Sequence, residues 1–258
     1  MSSDPPDMST DSAWNEWGRR EPYFGVITDP KYRRTGMSEI AKQEFFADGE
    51  SHVHHMLTTI QRHIDPQFAP HTVLDFGCGV GRLLVPFSRI AQEIVGLDVS
   101  PHMLDEARRN CDERGIQNVR LVHSDDNLSA LTGTFDLVYS FIVFQHIPVQ
   151  RGRAILAKLL QHLRPGGVAA IQLTYSKTRF ASTHGVAPME LRMPATTPAP
   201  VPIDADPEMQ MNPYNMNEIL FLLQCRGVQR TYVEFTDHGG ELGVSLFFSL
   251  SGGSIALP

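Results

Sequence analysis

The chain has 258 residues, of which 41% are hydrophobic and 20% charged, enough apolar material for a packed globular core. Its formal net charge of -7, with basic residues in pairs such as Arg19–Arg20 and never in runs, argues against the basic face a nucleic-acid binder needs. Three widely spaced cysteines, Cys78, Cys111 and Cys225, exclude a disulfide framework and offer no C-x-x-C metal pair.

Residues 1–12 are polar and hold Pro5 and Pro6, so they are expected to form a disordered tail. There is no basic stretch followed by an apolar one, as a secretory signal requires, and no apolar run long enough to cross a bilayer. A cytoplasmic protein without a membrane partner is the expectation. Residues 13–70 read as an N-terminal cap. An aromatic segment with Trp14, Trp17, Tyr23 and Phe24 precedes two helical pieces, SEIAKQEFFADG and ESHVHHMLTTIQRHI. The His52, His54 and His55 cluster in the second piece has no paired carboxylate or cysteine, so it reads as a surface helix face and no metal is expected.

From residue 71 short β-rich runs alternate with helical patterns. TVLDF (72–76) passes through glycines into VGRLLVPFSRIA, where Val80, Leu83, Leu84, Phe87 and Ile90 fall at helical spacing. EIVGLDV (93–99) is a second strand. The helix after it has Ser100 as N-cap, Pro101 at its first position and Gly115 past its end. NVRLVHS and FDLVYSF are the third and fourth strands. A leucine-rich helix then ends at RPGG (164–167), ahead of the strand VAAIQLTY. Residues 176–213 are a proline-rich insertion, read as a lid or a loop. VQRTYVEF and VSLFFSL, separated by TDHGGELG, form a terminal hairpin. The fold class is therefore α/β: a doubly wound, mainly parallel sheet with a C-terminal antiparallel hairpin, helices on both faces and an N-terminal helical cap, its core spanning 71–258.

The sharpest motif is Asp75-Phe76-Gly77-Cys78-Gly79-Val80-Gly81-Arg82. A strand that opens through glycines into a helix lets backbone approach a ligand closely. Nicotinamide and flavin fingerprints need G-x-G-x-x-G, and Arg82 occupies the last glycine position, so an oxidoreductase is disfavoured. The segment resembles the first motif of the class I, Rossmann-like S-adenosylmethionine-dependent methyltransferases. LRPGG before the fifth strand and the final hairpin are similar to that family as well.

The resemblance implies S-adenosylmethionine as cofactor. It gives Asp98 the ribose hydroxyls, Asp125 (or Asp126) the adenine amino group, and Val99 and Met103 the adenine faces. Asp75 would place the amino-acid end of the cofactor, with Gly77 and Gly79 lining the same pocket. Ser140 stands where metal-dependent catechol-type enzymes carry aspartate and is placed with the cofactor-binding group. The stretch from Tyr139 to Pro148 lacks the Asp/Asn-Pro-Pro-aromatic motif of amino-directed nucleic-acid enzymes, and its Gln-His-Ile-Pro run is similar to small-molecule types.

His146 is the first candidate for a base or acceptor-positioning residue; the alternative is a histidine that fixes its loop. Gln145 either positions a substrate group or caps the next helix. His238, in the hairpin turn, is the second candidate base. The expected activity is methyl transfer to a small or medium-sized acceptor, with an oxygen nucleophile preferred and nitrogen or a carboxylate left open. The rival is a non-catalytic cofactor-binding module acting through a protein partner.

Overall fold

The computed structural model describes residues 9–179 and 206–250. Seven strands form one sheet: β1 (Thr72–Phe76), β2 (Glu93–Asp98), β3 (Val119–His123), β4 (Phe135–Ser140), β5 (Leu163–Lys177), β6 (Thr231–His238) and β7 (Glu241–Ser249). Their order is β3-β2-β1-β4-β5-β7-β6. The first five are parallel, and β7 runs antiparallel to both β5 and β6. Because β7 reverses and β6 reverses again, β6 points the same way as β5. Its last residue, His238, therefore reaches the edge where β1, β2 and β4 end.

Adjacent strand residues face opposite sides. Val73, Ile94 and Leu137 point to helices α3 (Glu39–His63), α4 (Leu84–Phe87) and α5 (Pro101–Asp112), packing against Val53, Phe87 and Leu104. Leu74, Val95 and Val138 point to the other face, where α6 (Val149–Leu159) and α7 (Met216–Cys225) supply Leu156, Leu159 and Leu223. Burial on both faces explains why the consecutive residues Val73 and Leu74 of β1 are both apolar. The expected fold class is the one observed.

Local boundaries differ in four places. Helix α1 (Ser9–Arg20) begins inside the stretch expected to be disordered. Tertiary contacts order it: Thr10 Oγ1 donates to the His146 carbonyl at 2.7 Å, and Asp11 pairs with Arg151. The two helical pieces around residue 49 are one 25-residue helix, α3, capped by Ser38. Gly49 lies mid-helix because a Cβ there would meet the Arg82 carbonyl oxygen at 2.7 Å. After the glycine turn only Leu84–Phe87 is α-helical; Gly81 takes φ +83° ahead of it and Pro86 carries no N–H to extend the ladder. RPGG lies within β5, as a bulge that shifts the β4 register between Leu163 and Val168, and does not terminate the preceding helix. The hairpin turn falls on Gly239 and Gly240, whose φ values of +70° and +93° suit the two-residue turns that match strand twist.

Candidate active site

A cleft of about 400 Å³ opens at the carboxyl edge of β1, β2 and β4. Open α/β sheets bind ligands at this edge, where helix N-termini and loop backbone converge. The N-terminal segment roofs it. Helix α1, α2 (Pro22–Val26) and the residues after it bring Trp14, Val26 and Ile27 over the glycine turn.

One half of the cleft is built on Asp98. Its Oδ2 accepts from the Gly79 amide and its Oδ1 from the Ser100 amide, both at 2.8 Å, so the carboxylate ties the glycine turn to the end of β2. Burial pushes its pKa up to about 6, with the Ser100 and Gly79 amides opposing the rise. Gly77 and Gly79, at φ +78° and +53°, line the same wall, as do Val99 and Met103. Each Asp98 oxygen keeps a lone pair for a hydroxyl donor, which fits a ribose diol. Asp125 also lines this half. Its Oδ1 accepts from the Asn127 and Ser129 amides at 2.9 Å, and these bonds hold its pKa below the ordinary value.

Of three further expected cofactor contacts, one borders the cleft with its carboxylate engaged and two stand outside its lining. Asp126 borders the cleft, but Arg151 Nε binds both its oxygens at 2.7 and 2.8 Å. The same guanidinium grips Asp11 through Nη1 and Nη2 at 2.7 and 2.6 Å, so Asp126 is half of a clasp that fastens α1. Asp75 is 2% exposed and stands behind the cleft wall; its Oδ2 has no partner, and burial pushes its pKa up to about 7. Ser140 lines a second, smaller cavity of about 250 Å³ under α3, and its buried Oγ is likewise without a partner.

His146 lines the large cleft, with the Trp14 ring edge-on at 4.8 Å. Its Nδ1 donates to the Gln210 carbonyl at 2.8 Å, which fixes the tautomer and leaves Nε2 unprotonated. Burial lowers its pKa to about 4. Gln145 does not face the cleft. It is 2% exposed, accepts from Thr174 Oγ1 at 2.8 Å, and its carbonyl accepts from the Asn212 amide at 2.6 Å. It anchors the loop after β4. Of the insertion at 176–213, residues 180–205 lie outside the described residues. Residues 206–213 cross the β4 loop as a strap through Gln210 and Asn212.

The other half of the cleft gathers His238, His52, Phe141 and Arg82. His238 arrives there as its strand direction requires. Its Nε2 is buried without a hydrogen-bond partner, its ring meets Phe141 at 5.5 Å, and burial lowers its pKa. His52 was assigned above to a surface face; instead it shares a hydrogen bond with the Tyr139 hydroxyl and its ring lies 4.1 Å from Phe141. Burial, with the Arg82 charge adding to it, lowers its pKa to about 3. Arg82 is 6% exposed and its Nη1 pairs with Asp48 at 2.7 Å. Among the described residues no three His, Cys, Asp or Glu side chains converge as a metal site, and no helix is long and apolar enough to cross a membrane.

Residues 73–167 match the family model described as a methyltransferase domain. The chain is 32% identical over 141 residues to a trans-aconitate 2-methyltransferase of Deinococcus radiodurans, covering 45% of this chain and 52% of that one. It is 28% identical over 153 residues to a mitochondrial ubiquinone biosynthesis O-methyltransferase of Schizosaccharomyces pombe, covering 56% and 55%. The chain thus spans about half the length of these curated relatives. Its fold is similar to a magnesium protoporphyrin IX methyltransferase of Synechocystis solved with bound S-adenosylhomocysteine: TM-score 0.61, 18% identity, 95% of this chain and 98% of that one.

Proposed function

Since the chain carries a methyltransferase domain on the class I fold, we propose that it binds S-adenosylmethionine in the Asp98 half of the cleft and methylates a small-molecule acceptor in the other half. The observation that carries this reading is a single continuous cleft. At one end a carboxylate braces a glycine turn; at the other, neutral histidines surround Phe141. When bound, the cofactor supplies an electrophilic sulfonium methyl carbon, which passes to the acceptor as the carbon–sulfur bond breaks.

The chain's own residues would divide the remaining work. Asp98 accepts the ribose hydroxyls, and Val99 and Met103 flank the adenine. The roof formed by α1 and α2 excludes water from the reacting centre. An oxygen acceptor is the preferred class, and His238 is the better placed base, because its Nε2 is free of other partners. His146, held by Gln210 on one side and Trp14 on another, acts as a positioning residue for the loop after β4.

The test is isothermal titration of the protein with S-adenosylhomocysteine beside a reduced nicotinamide dinucleotide. Binding of the first and not of the second supports the reading. A folded protein that binds neither removes it.

A further inference from the structure

The smaller cavity under α3 shares two walls with the large cleft, His52 and Phe141, so it adjoins the half of the cleft that holds His238. Resting on the methyl-transfer reading above, we propose that this cavity extends the acceptor site, seating an uncharged, single-ring molecule that bears hydroxyl or amino groups and reaches past His52 and Phe141 into the cleft.

Shape and chemistry both point there. The volume, about 250 Å³, suits one substituted ring. Phe141, Phe247 and Tyr139 contribute aromatic surface, which favours stacked or edge-on ring contacts. Polar groups are set into that apolar lining. Gln172, 1% exposed, and Thr236 stand on the α3 face of the sheet and line the cavity with an amide and a hydroxyl. Gln172 Oε1 accepts from the Ile142 amide at 3.2 Å, but its Nε2 meets Thr236 Oγ1 only at a long 3.5 Å, leaving donor and hydroxyl capacity for a ligand. A ring hydroxyl or amine would satisfy these groups together.

Charge selects against acids. No lysine or arginine lines this cavity, and its one formal charge is the carboxylate of Glu234, bonded to His55 and Thr59. Of the arginines in the adjoining cleft, Arg151 is gripped by Asp11 and Asp126, and Arg82 pairs through Nη1 with Asp48 while its buried Nε has no partner. Neither guanidinium lines the smaller cavity, so a carboxylate held on the ring there would be buried away from both, a costly placement.

The experiment titrates 4-hydroxybenzamide and 4-hydroxybenzoate, matched rings that differ in charge, into the full chain with and without saturating S-adenosylhomocysteine. Two variants accompany the wild type: Ala170→Leu, which fills the cavity floor, and Thr236→Val, which removes a cavity hydroxyl at nearly constant shape. The amide is expected to bind at least tenfold more tightly than the acid. Ala170→Leu should weaken it at least tenfold and Thr236→Val about threefold or more, with S-adenosylhomocysteine affinity held within twofold. Equal binding of acid and amide overturns the proposal; so does amide binding that ignores both variants, or no amide binding at all. Failure to bind S-adenosylhomocysteine instead strikes the methyl-transfer reading, while the cofactor-free titrations still report on the cavity.

Discussion

Replacing Asp98 with alanine tests the cofactor half of the cleft on two scales at once. The carboxylate receives two backbone amides at 2.8 Å, and its removal leaves both donors without partners. Each buried orphan costs about 1–3 kcal/mol, so Asp98→Ala should lower stability by on the order of 4 kcal/mol, visible as a fall in denaturation midpoint. The lost hydroxyl contacts should weaken S-adenosylhomocysteine binding by about 1.5–3 kcal/mol, roughly 10- to 150-fold in Kd. Proton linkage adds an independent check. A carboxyl raised to about 6 is mostly protonated at pH 5 and must ionise to accept two hydroxyls. Wild-type affinity should therefore be about tenfold weaker at pH 5 than at pH 8, and this slope should vanish in the variant. In stability the sign is opposite. The folded chain holds this proton more tightly than the unfolded one, so Asp98 favours folding below about pH 4 and that contribution is lost as pH rises through about 6. Calorimetry of both proteins, with melts at each pH, measures all of this. An Asp98→Ala protein with an unchanged melting midpoint and a Kd within twofold of wild type would refute the reasoning.

Arg151→Met opens the clasp on α1 by leaving Asp11 and Asp126 facing each other without a cation. A loss of about 3 kcal/mol is expected, with faster amide exchange in residues 9–27 and faster release of S-adenosylhomocysteine. Unchanged exchange there would show that α1 is held by its apolar contacts alone. Gly77→Ala places a Cβ 2.3 Å from Val143 at φ +78°, and should cost at least about 2 kcal/mol; Gly115→Ala, at φ +65° with nothing within 4 Å, should cost about 1 kcal/mol. Paired chemical melts compare the two. If His238 is the base, His238→Ala lowers kcat and abolishes an acid limb in the rate profile lying below pH 6.5, since burial lowers its pKa. His146→Ala should chiefly raise KM, and a lost limb in that variant instead would reverse the two roles.

Local chemistry made much of this site readable in the chain. Asp98 ends an apolar strand and precedes a Ser-Pro helix start, so its position at the sheet edge follows from sequence order alone. The Gly-Gly turn located the hairpin, but the edge on which His238 falls depends on β7 pairing antiparallel with β5, which no local signal gives. The misplaced residues depend on partners far away in the chain. Asp126 looks free until Arg151 and Asp11 are brought beside it. Gln145 looks substrate-facing until residues 210–212 cover it. His52 was set on a surface because helical period groups it with His55, and only the packing of α3 over β4 turns one towards Tyr139 while the other stays exposed. Gly49, mid-helix and at a propensity cost, was the one local sign that this helix approaches the β1 loop closely.

The strand order β5-β7-β6 has a consequence for assembly. β6 precedes β7 in the chain, yet among the described residues it pairs with β7 alone, so it joins the sheet only through the strand that follows it. During synthesis the glycine turn and Asp98 would fall into place early, while His238 and Glu234 wait for residues up to 249. Pairings this distant are slow to form. A half-made chain would thus carry a cradle for the methyl donor but no seat for its recipient, and the two become neighbours in the final stroke of folding.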